Sequence, residues 1–459
     1  MTRVIVVGGG VAGIAAALRL SERGVAVTLL ETRKKLGGRA TSFLDQRSGE
    51  WVDNCQHVAL GCCTNYLDLL ERLGARDKIA FADELYWVEA GGRTTTMRAS
   101  PLPVPGHLSP SFACARFLDP IDRVRVSSAM LALWSANRES IRERTFGDWL
   151  RARGQRRAAI DRFWEPVVIS ACNVSVERVD ARVAAHVFQE GFLSHAEAWR
   201  MGVPTVPLLD LYDRAEEVIR AAGGDVRLGA SVDSLGAESV TLSSGERLCG
   251  DRVICATPPE RTVRLVDDGV RAHDPRFDAM ANLTHSPIVG VHLVFDRPVL
   301  PTHSAVLVER STQWVFRKDD EGKRLHAVIS GADEWVSLDE SAILDRVLGD
   351  IRACFPGADG AQLVSGRAVK EKRATFAPTP GSDVHRPTTE GPSGIVLAGC
   401  YVQTGWPATM EGAARSGYAA AAAALDEPAH DHVVRALRPA PIVRVLARGP
   451  LSKQGAAVG

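Results

Sequence analysis

The chain has 459 residues, 45% hydrophobic and 24% charged, with 55 Lys and Arg against 55 Asp and Glu. That length requires two structural units, and a composition without biased tracts makes both globular. Zero net charge argues against a broad basic surface for nucleic acid. Nine scattered cysteines with no CxxC pair or zinc spacing fit a reducing cytoplasm.

Met1-Thr2-Arg3 runs straight into an apolar stretch at Val4, without the features of a secretory leader. Residues 4–7 are a β-branched run suited to a buried parallel strand. Residues 8–13 are a glycine turn, the apolar spacing from Ile14 predicts a helix that Gly24 ends, and 25–30 is a second strand. Leu67, Leu69, Leu70 and Leu73 predict a helix over 65–73, and 85–98 reads as a hairpin about Gly91-Gly92. A proline-rich loop at 101–110 precedes a mostly helical stretch over 120–200. A helix over 208–222 stops at Gly223-Gly224, and short strands follow at 226–228, 232–235, 240–242 and 253–256. Strands at 288–295, 305–308 and 327–330, a helix over 341–354, a buried strand at 395–398 and a helix over 411–425 complete the pattern. No apolar run reaches the roughly 18 residues that a bilayer span needs.

This order predicts an α/β fold of two interleaved units. A Rossmann-like nucleotide-binding unit takes 1–84, 203–283 and 388–427; a second unit of mixed sheet plus helices, for the substrate, takes 85–202 and 284–387; 428–459 is a C-terminal tail, either membrane-associating or disordered.

Gly8-Gly9-Gly10-Val11-Ala12-Gly13 has the form GxGxxG. Gly8 permits the turn, Gly10 lets backbone approach a pyrophosphate, and Gly13 lets the helix pack on the strand. The N–H groups at Val11 and Ala12 then meet the phosphates with the positive end of the helix dipole. Glu31, at the end of the next strand, is placed to accept the hydroxyls of an adenosine ribose. Leu36-Gly37-Gly38-Arg39 follows at once, a second glycine pair that NAD does not need and that sets Gly38 and Arg39 on another side of the pyrophosphate. Far downstream, Ala398-Gly399-Cys400 ends a strand and Thr409-Met410-Glu411-Gly412 opens a helix.

Together these segments resemble the FAD-binding flavoprotein superfamily that includes amine oxidases and phytoene-type desaturases. The resemblance implies FAD as cofactor, held by Gly8, Gly10, Val11, Ala12, Gly13, Glu31, Gly38, Arg39, Gly399, Cys400, Thr409 and Met410. It also implies an adenine contact from the backbone of Val232, and a flavin edge met by the helix opening at Met410. An aspartate usual in that superfamily is replaced here by Cys400, a weak acceptor. The strings Asp53-Asn54-Cys55-Gln56-His57, Trp164-Glu165-Pro166 with Asn173, Glu371-Lys372-Arg373-Ala374-Thr375-Phe376 and Gly405-Trp406-Pro407 are similar to the hydroxysqualene dehydroxylase family. That similarity runs over nearly all of 1–425 and implies reductive loss of an allylic hydroxyl from hydroxysqualene, giving squalene.

Such chemistry needs an acid for the leaving oxygen and a dry apolar pocket. His57 is the first candidate for the acid, because histidine protonates near neutrality. Glu165 is the second, and Asn173 is a candidate for orienting the hydroxyl. Trp164, Trp199, Trp314 and Trp406 are candidates for lining an isoprenoid tunnel, against a plain core role. Cys62-Cys63 reads as two small thiols rather than a redox pair. The basic, partly apolar stretch 433–446 suits the surface of an anionic membrane on the inner side, although Pro439 and Pro441 interrupt it. The electron donor is unidentified. A carotenoid desaturase, an amine oxidase using Tyr401 and Trp406 as an aromatic pair, and an FAD-binding protein without turnover are the competing readings.

Overall fold

The computed structural model describes residues 2–441 and 443. Its first sheet has five parallel strands in the order Asp225–Leu228, Ala26–Glu31, Arg3–Val7, Arg252–Cys255 and Val396–Leu397. Val4 to Val7 are buried without alternation, as a strand covered on both faces requires. Helix Val11–Glu22 follows the central strand, and helix Met410–Ala424 follows the last one. The five strands come from three separated stretches of chain, so the first sheet is closed only by residues near 396.

The second large sheet has seven strands, in the order Leu363–Phe376, His285–Phe295, Arg324–Ser330, Trp314–Arg317, Ser304–Leu307, Glu84–Val88 and Thr94–Arg98. It is mixed: Ser304–Leu307 pairs parallel with Glu84–Val88, and the other pairs are antiparallel. Helices Pro120–Ser135, Phe146–Arg151, Glu165–Cys172 and Ala181–Phe188 build a separate aromatic core. In it Trp164 meets Phe146, Phe163 and Phe188 edge to face. The architecture is the expected α/β fold.

Several expected elements take another form. The helix expected over 208–222 splits into a turn at Leu208–Leu211 and a helix at Ala215–Ala221. The N–H groups of Leu208 and Leu209 are held by Asp53 Oδ1 at 3.0 Å and Ser42 Oγ at 3.2 Å, which fixes the turn apart from the helix. The 14-residue strand Leu363–Phe376 was not foreseen, because its burial does not alternate along its length and its register is set by the distant His285–Phe295. Trp314–Arg317 is a further unforeseen strand. Residues 428–441 are docked rather than a loose tail: Val434 exchanges two backbone hydrogen bonds with the Asn65 side chain, and the Ala440 N–H donates to Ser194 O. Val443 is buried against Val104. The rest of the stretch 433–446 lies outside the described residues.

One buried carboxylate ties the last long helix to the N-terminal region. Glu411, fully buried, accepts the N–H groups of Asn65 and Tyr66 at 2.9 Å each and the Asn65 amide at 2.8 Å. It thereby caps helix Thr64–Arg72, whose first turn carries no acid of its own. Removing it would strand two buried donors. We expect Glu411→Ala to lower unfolding stability by about 2–4 kcal/mol, with Glu411→Gln falling between. A urea titration giving wild-type stability for the alanine variant would remove this clamp.

Candidate functional site

A cavity of about 530 Å³ opens where the carboxyl ends of the parallel strands meet the two glycine-rich segments. Its lining falls into two groups. One comprises Gly8, Gly10, Val11, Ala12, Glu31, Gly38, Arg39, Val232, Gly399, Cys400, Thr409 and Met410. The other comprises Asn54 to Val58, Ser170, Ala171, Asn173, Ile288, Glu371 and Thr375. Of the expected cofactor residues only Gly13 is absent, and its part is packing: a Cβ there would overlap Gly8 O.

The first group fits an extended anionic dinucleotide. Helix Val11–Glu22 starts at Gly10 without a side-chain cap and with no acid in its first turn. Helix Met410–Ala424 starts at Thr409, whose hydroxyl accepts the Gly412 N–H at 3.1 Å. Two positive helix ends thus face one cavity. Gly37 donates its N–H to Gly9 O at 2.9 Å, and Gly38 has φ +63°, with space for a Cβ only 2.9 Å from Gly10 Cα. A side chain at position 38 would therefore push the two loops apart.

Glu31 accepts the Gly9 N–H at 2.7 Å on one oxygen and the Arg33 N–H at 2.8 Å on the other. A carboxylate has about four acceptor positions, so it retains capacity for a ribose diol. The Arg39 guanidinium donates to Ala374 O at 2.7 Å and reaches Cys400 Sγ at 3.3 Å. Cys400 is therefore turned to Arg39 from the cavity wall. The Val232 carbonyl accepts from Arg261 at 2.7 Å, which leaves less of its backbone for an adenine than expected.

In the second group, the segment 53–58 is held from below. Asp53 accepts from Ser42 Oγ at 2.7 Å, the Leu208 N–H at 3.0 Å and Lys318 Nζ at 3.1 Å. Burial alone would raise its carboxyl, but Lys318, the Leu208 N–H and the Ser42 hydroxyl outweigh this and hold it below the usual range. His292 donates its Nε2–H to the Asp53 carbonyl at 2.9 Å and lies against His326, ring centres 3.8 Å apart. Burial lowers both histidines, His292 to about 4, so two neutral imidazoles lie beside the Asp53–Lys318 ion pair.

The three catalytic candidates part company. His57 lines the cavity, but its Nδ1–H donates to Cys55 O at 2.9 Å and burial lowers its pKa. Its Nδ1–H is thus occupied, and the charged form that would serve as an acid is disfavoured. Glu165 is absent from the lining and accepts the Val176 N–H at 2.8 Å. Burial pushes its carboxyl up to about 7. Asn173 reaches the wall but its side chain is spent: Nδ2 donates to Ser286 O and Thr375 Oγ1, and Oδ1 accepts the Gly331 N–H. It sits at φ +57° and pins the end of helix Glu165–Cys172 to the seven-stranded sheet.

Glu371, which residue-type reasoning passed over, is the carboxyl of the second group. It accepts from Asn54 Nδ2 at 3.2 Å. The signal was present in the string 371–376, but only the unforeseen strand places it. None of the four tryptophans is part of the lining. Trp164 and Trp199 are core, Trp314 donates to Ser170 Oγ at 2.8 Å, and Trp406 meets His186 edge to face at 4.7 Å. Tyr401 lines the wall without Trp406, so no aromatic pair frames the cavity. Cys62 is buried and its thiol is pushed well up by its contact with Cys63 and by burial, which suits an inert pair. Among the described residues no helix is long and apolar enough to cross a membrane, and no cluster of metal ligands is present.

Residues 11–425 match the family model described as flavin containing amine oxidoreductase. The chain is 26% identical to the hydroxysqualene dehydroxylase of Zymomonas mobilis, over 92% of this chain and 98% of that one. It is 24% identical to the zeta-carotene desaturase of a Synechocystis species, over 92% and 97%. A solved oxidoreductase from Methanosarcina mazei superposes with a TM-score of 0.70 at 17% identity, covering 90% of this chain and 98% of that one.

Two expectations follow from this geometry. Glu31→Ala should weaken FAD binding by roughly 1.5–3 kcal/mol, since a charged acceptor is lost; a fluorescence titration with unchanged affinity would take Glu31 off the ribose. The raised Glu165 carboxyl disfavours its charged form in the folded chain, so stability is lost as pH rises from the usual carboxylate range through about 7. Glu165→Gln should thus gain stability over wild type progressively between pH 4 and pH 8 (about the span of that titration). Melting curves showing a constant difference would refute this.

Proposed function

The chain belongs to the flavin containing amine oxidoreductase family and is an FAD-dependent, desaturase-like oxidoreductase, and from that premise we propose that it reduces hydroxysqualene to squalene. The observation that carries the reading is the second group of lining residues. Segment 53–58 and strand Leu363–Phe376, the stretches similar to the hydroxysqualene dehydroxylase family, meet in one cavity through the Asn54–Glu371 hydrogen bond. On this reading 1–84, 203–283 and 388–427 hold FAD, and 85–202 with 284–387 hold the isoprenoid. An external electron donor keeps the cofactor reduced.

Reduced FAD supplies hydride when bound. The chain's own residues bind and orient the substrate, exclude water and bring a proton to the departing oxygen. The allylic C–O bond breaks with its electron pair on oxygen, which takes a proton and leaves as water, while the carbon gains hydride. Glu371 is the group we place as proton carrier, because burial disfavours the charged form of His57 and Glu165 lies outside the lining. Ile288, Val58 and Ala171 give that part of the wall an apolar surface.

Carotenoid desaturation is the second reading, supported by relatives of similar identity. It requires the opposite electron flow. Wild type with hydroxysqualene under anaerobic conditions should yield squalene only after flavin reduction, and Glu371→Gln should lower that rate by about 10²–10⁴-fold with normal FAD content. Product analysis that finds no squalene, but dehydrogenation of a polyene by the oxidised enzyme, would replace this function with the desaturase. Squalene formation at the wild-type rate in the variant would remove Glu371 alone.

A further inference from the structure

Strand Leu363–Phe376 departs from the ladder with its partner beside the cavity. Ser286 pairs with Thr375 and Ile288 with Glu371, so Lys372, Arg373 and Ala374 together stand opposite the single residue Pro287. Proline has no N–H to give the ladder, and the facing strand bulges outward by two residues at that point. A bulge interrupts the pairing of the strand's own carbonyls and re-aims the side chains next to it. Glu371 is the last residue paired before the bulge, and Glu371, Ala374 and Thr375 all line the cavity.

Arg39 takes up the bulged carbonyls. Its Nη1 donates to Ala374 O at 2.7 Å and to Arg373 O at 3.3 Å, and its Nη2 reaches Cys400 Sγ at 3.3 Å. One nitrogen spans the bulge and the other engages position 400, a two-sided hold that a lysine ammonium, a single point on a flexible stem, does not reproduce. The backbone of Arg39 is used as well. Asn54 Nδ2 donates to Arg39 O at 3.3 Å and to Glu371 Oε2 at 3.2 Å, while the Asn54 N–H is held by Thr41 O at 2.9 Å. The other Glu371 oxygen accepts the Arg373 N–H at 3.4 Å, from within the bulge. Each oxygen of the carboxyl is thereby tied to a group that Arg39 holds.

We infer that the bulge at 372–374 is a socket for Arg39, and that Arg39 seated in it is the positioning residue for the Glu371 carboxyl. The positioning role rests on the reading of Glu371 as proton carrier. Gly38, next to Arg39 in the chain, closes on Gly10 in the dinucleotide half of the cavity. The carboxyl is thus indexed to the loop that meets the cofactor, through the bulge on one side and through the Asn54 amide on the other.

The test is a double-mutant cycle on the full-length, FAD-saturated enzyme with hydroxysqualene and reduced flavin. Arg39→Lys should lower kcat by about 10²-fold, the cost of a small misplacement of a reacting group, with KM near its wild-type value. In the Glu371→Gln background the same change should cost nothing further, because both substitutions remove one function. Asn54→Ala leaves the guanidinium in place and should show the same pattern; it carries the cycle if Arg39→Lys loses FAD or stability. A second measurement does not involve turnover: hydrogen exchange read by mass spectrometry should be faster over residues 371–376 in Arg39→Lys than in wild type. Unchanged exchange there would overturn the socket. Losses that multiply in the Glu371→Gln background would overturn the positioning role. Wild-type turnover by Glu371→Gln itself would remove the proton-carrier reading and the positioning role with it, while the exchange measurement would still decide whether Arg39 seats the bulge.

Discussion

The contact between helix Val11–Glu22 and helix Met410–Ala424 sets the geometry on which the site depends. A Cβ on Gly417 would overlap Ala12 O and stand 2.8 Å from Ala15 Cβ, so the two backbones approach as closely as their atoms allow. Alanines at 12, 15, 16, 414, 420 and 421 keep the rest of the seam thin. Packed this way, both helices aim their N-terminal ends into one cavity, with Arg33, Arg39 and Arg261 also on its wall. Like dipole ends held together repel until an anion lies between them. The cavity is accordingly charged for a pyrophosphate and for the negative charge that a flavin gathers on reduction.

The support beneath segment 53–58 matters for the opposite reason, because it removes charge. Asp53 is paired with Lys318 and accepts from Ser42 and Leu208, and the adjacent His292 and His326 are kept neutral by burial. The segment is therefore fixed by hydrogen bonds and one ion pair beneath the second group of lining residues. The charged group that Glu371 feels on this wall is Arg39, whose carbonyl also accepts from Asn54 Nδ2.

The parallel sheet and its glycine turns were legible because backbone requirements are written locally. A tight turn, a close approach and a helix start demand glycine or small residues at fixed intervals, and Gly8 to Gly13, Gly38 and Gly399 state those demands in order. Glu31 was legible because a strand end fixes where its side chain arrives. The second group of lining residues resisted the same treatment. His57, Glu165 and Asn173 were picked by residue type, yet each is decided by partners far away in sequence: a carbonyl, the Val176 N–H, and the sheet residues 286, 331 and 375. Glu371 lies on a strand whose pairing with His285–Phe295 gives no local periodic signal, so its position became visible only with the fold.

The interleaving also orders events during synthesis. The strands from 3 to 255 assemble four-fifths of the first sheet, but the strand at Val396–Leu397 and the helix at Met410 come within the final 64 residues of a 459-residue chain. A nascent chain can present the first glycine loop to a cofactor early, while the second helix end that completes the cradle is still inside the ribosome. Glu411 makes the step cooperative, for the helix that completes the cradle is the one whose carboxylate caps Thr64–Arg72. Completing the cradle and covering the Asn65–Tyr66 helix start are in this way one event, and a chain cut before residue 410 would lack both.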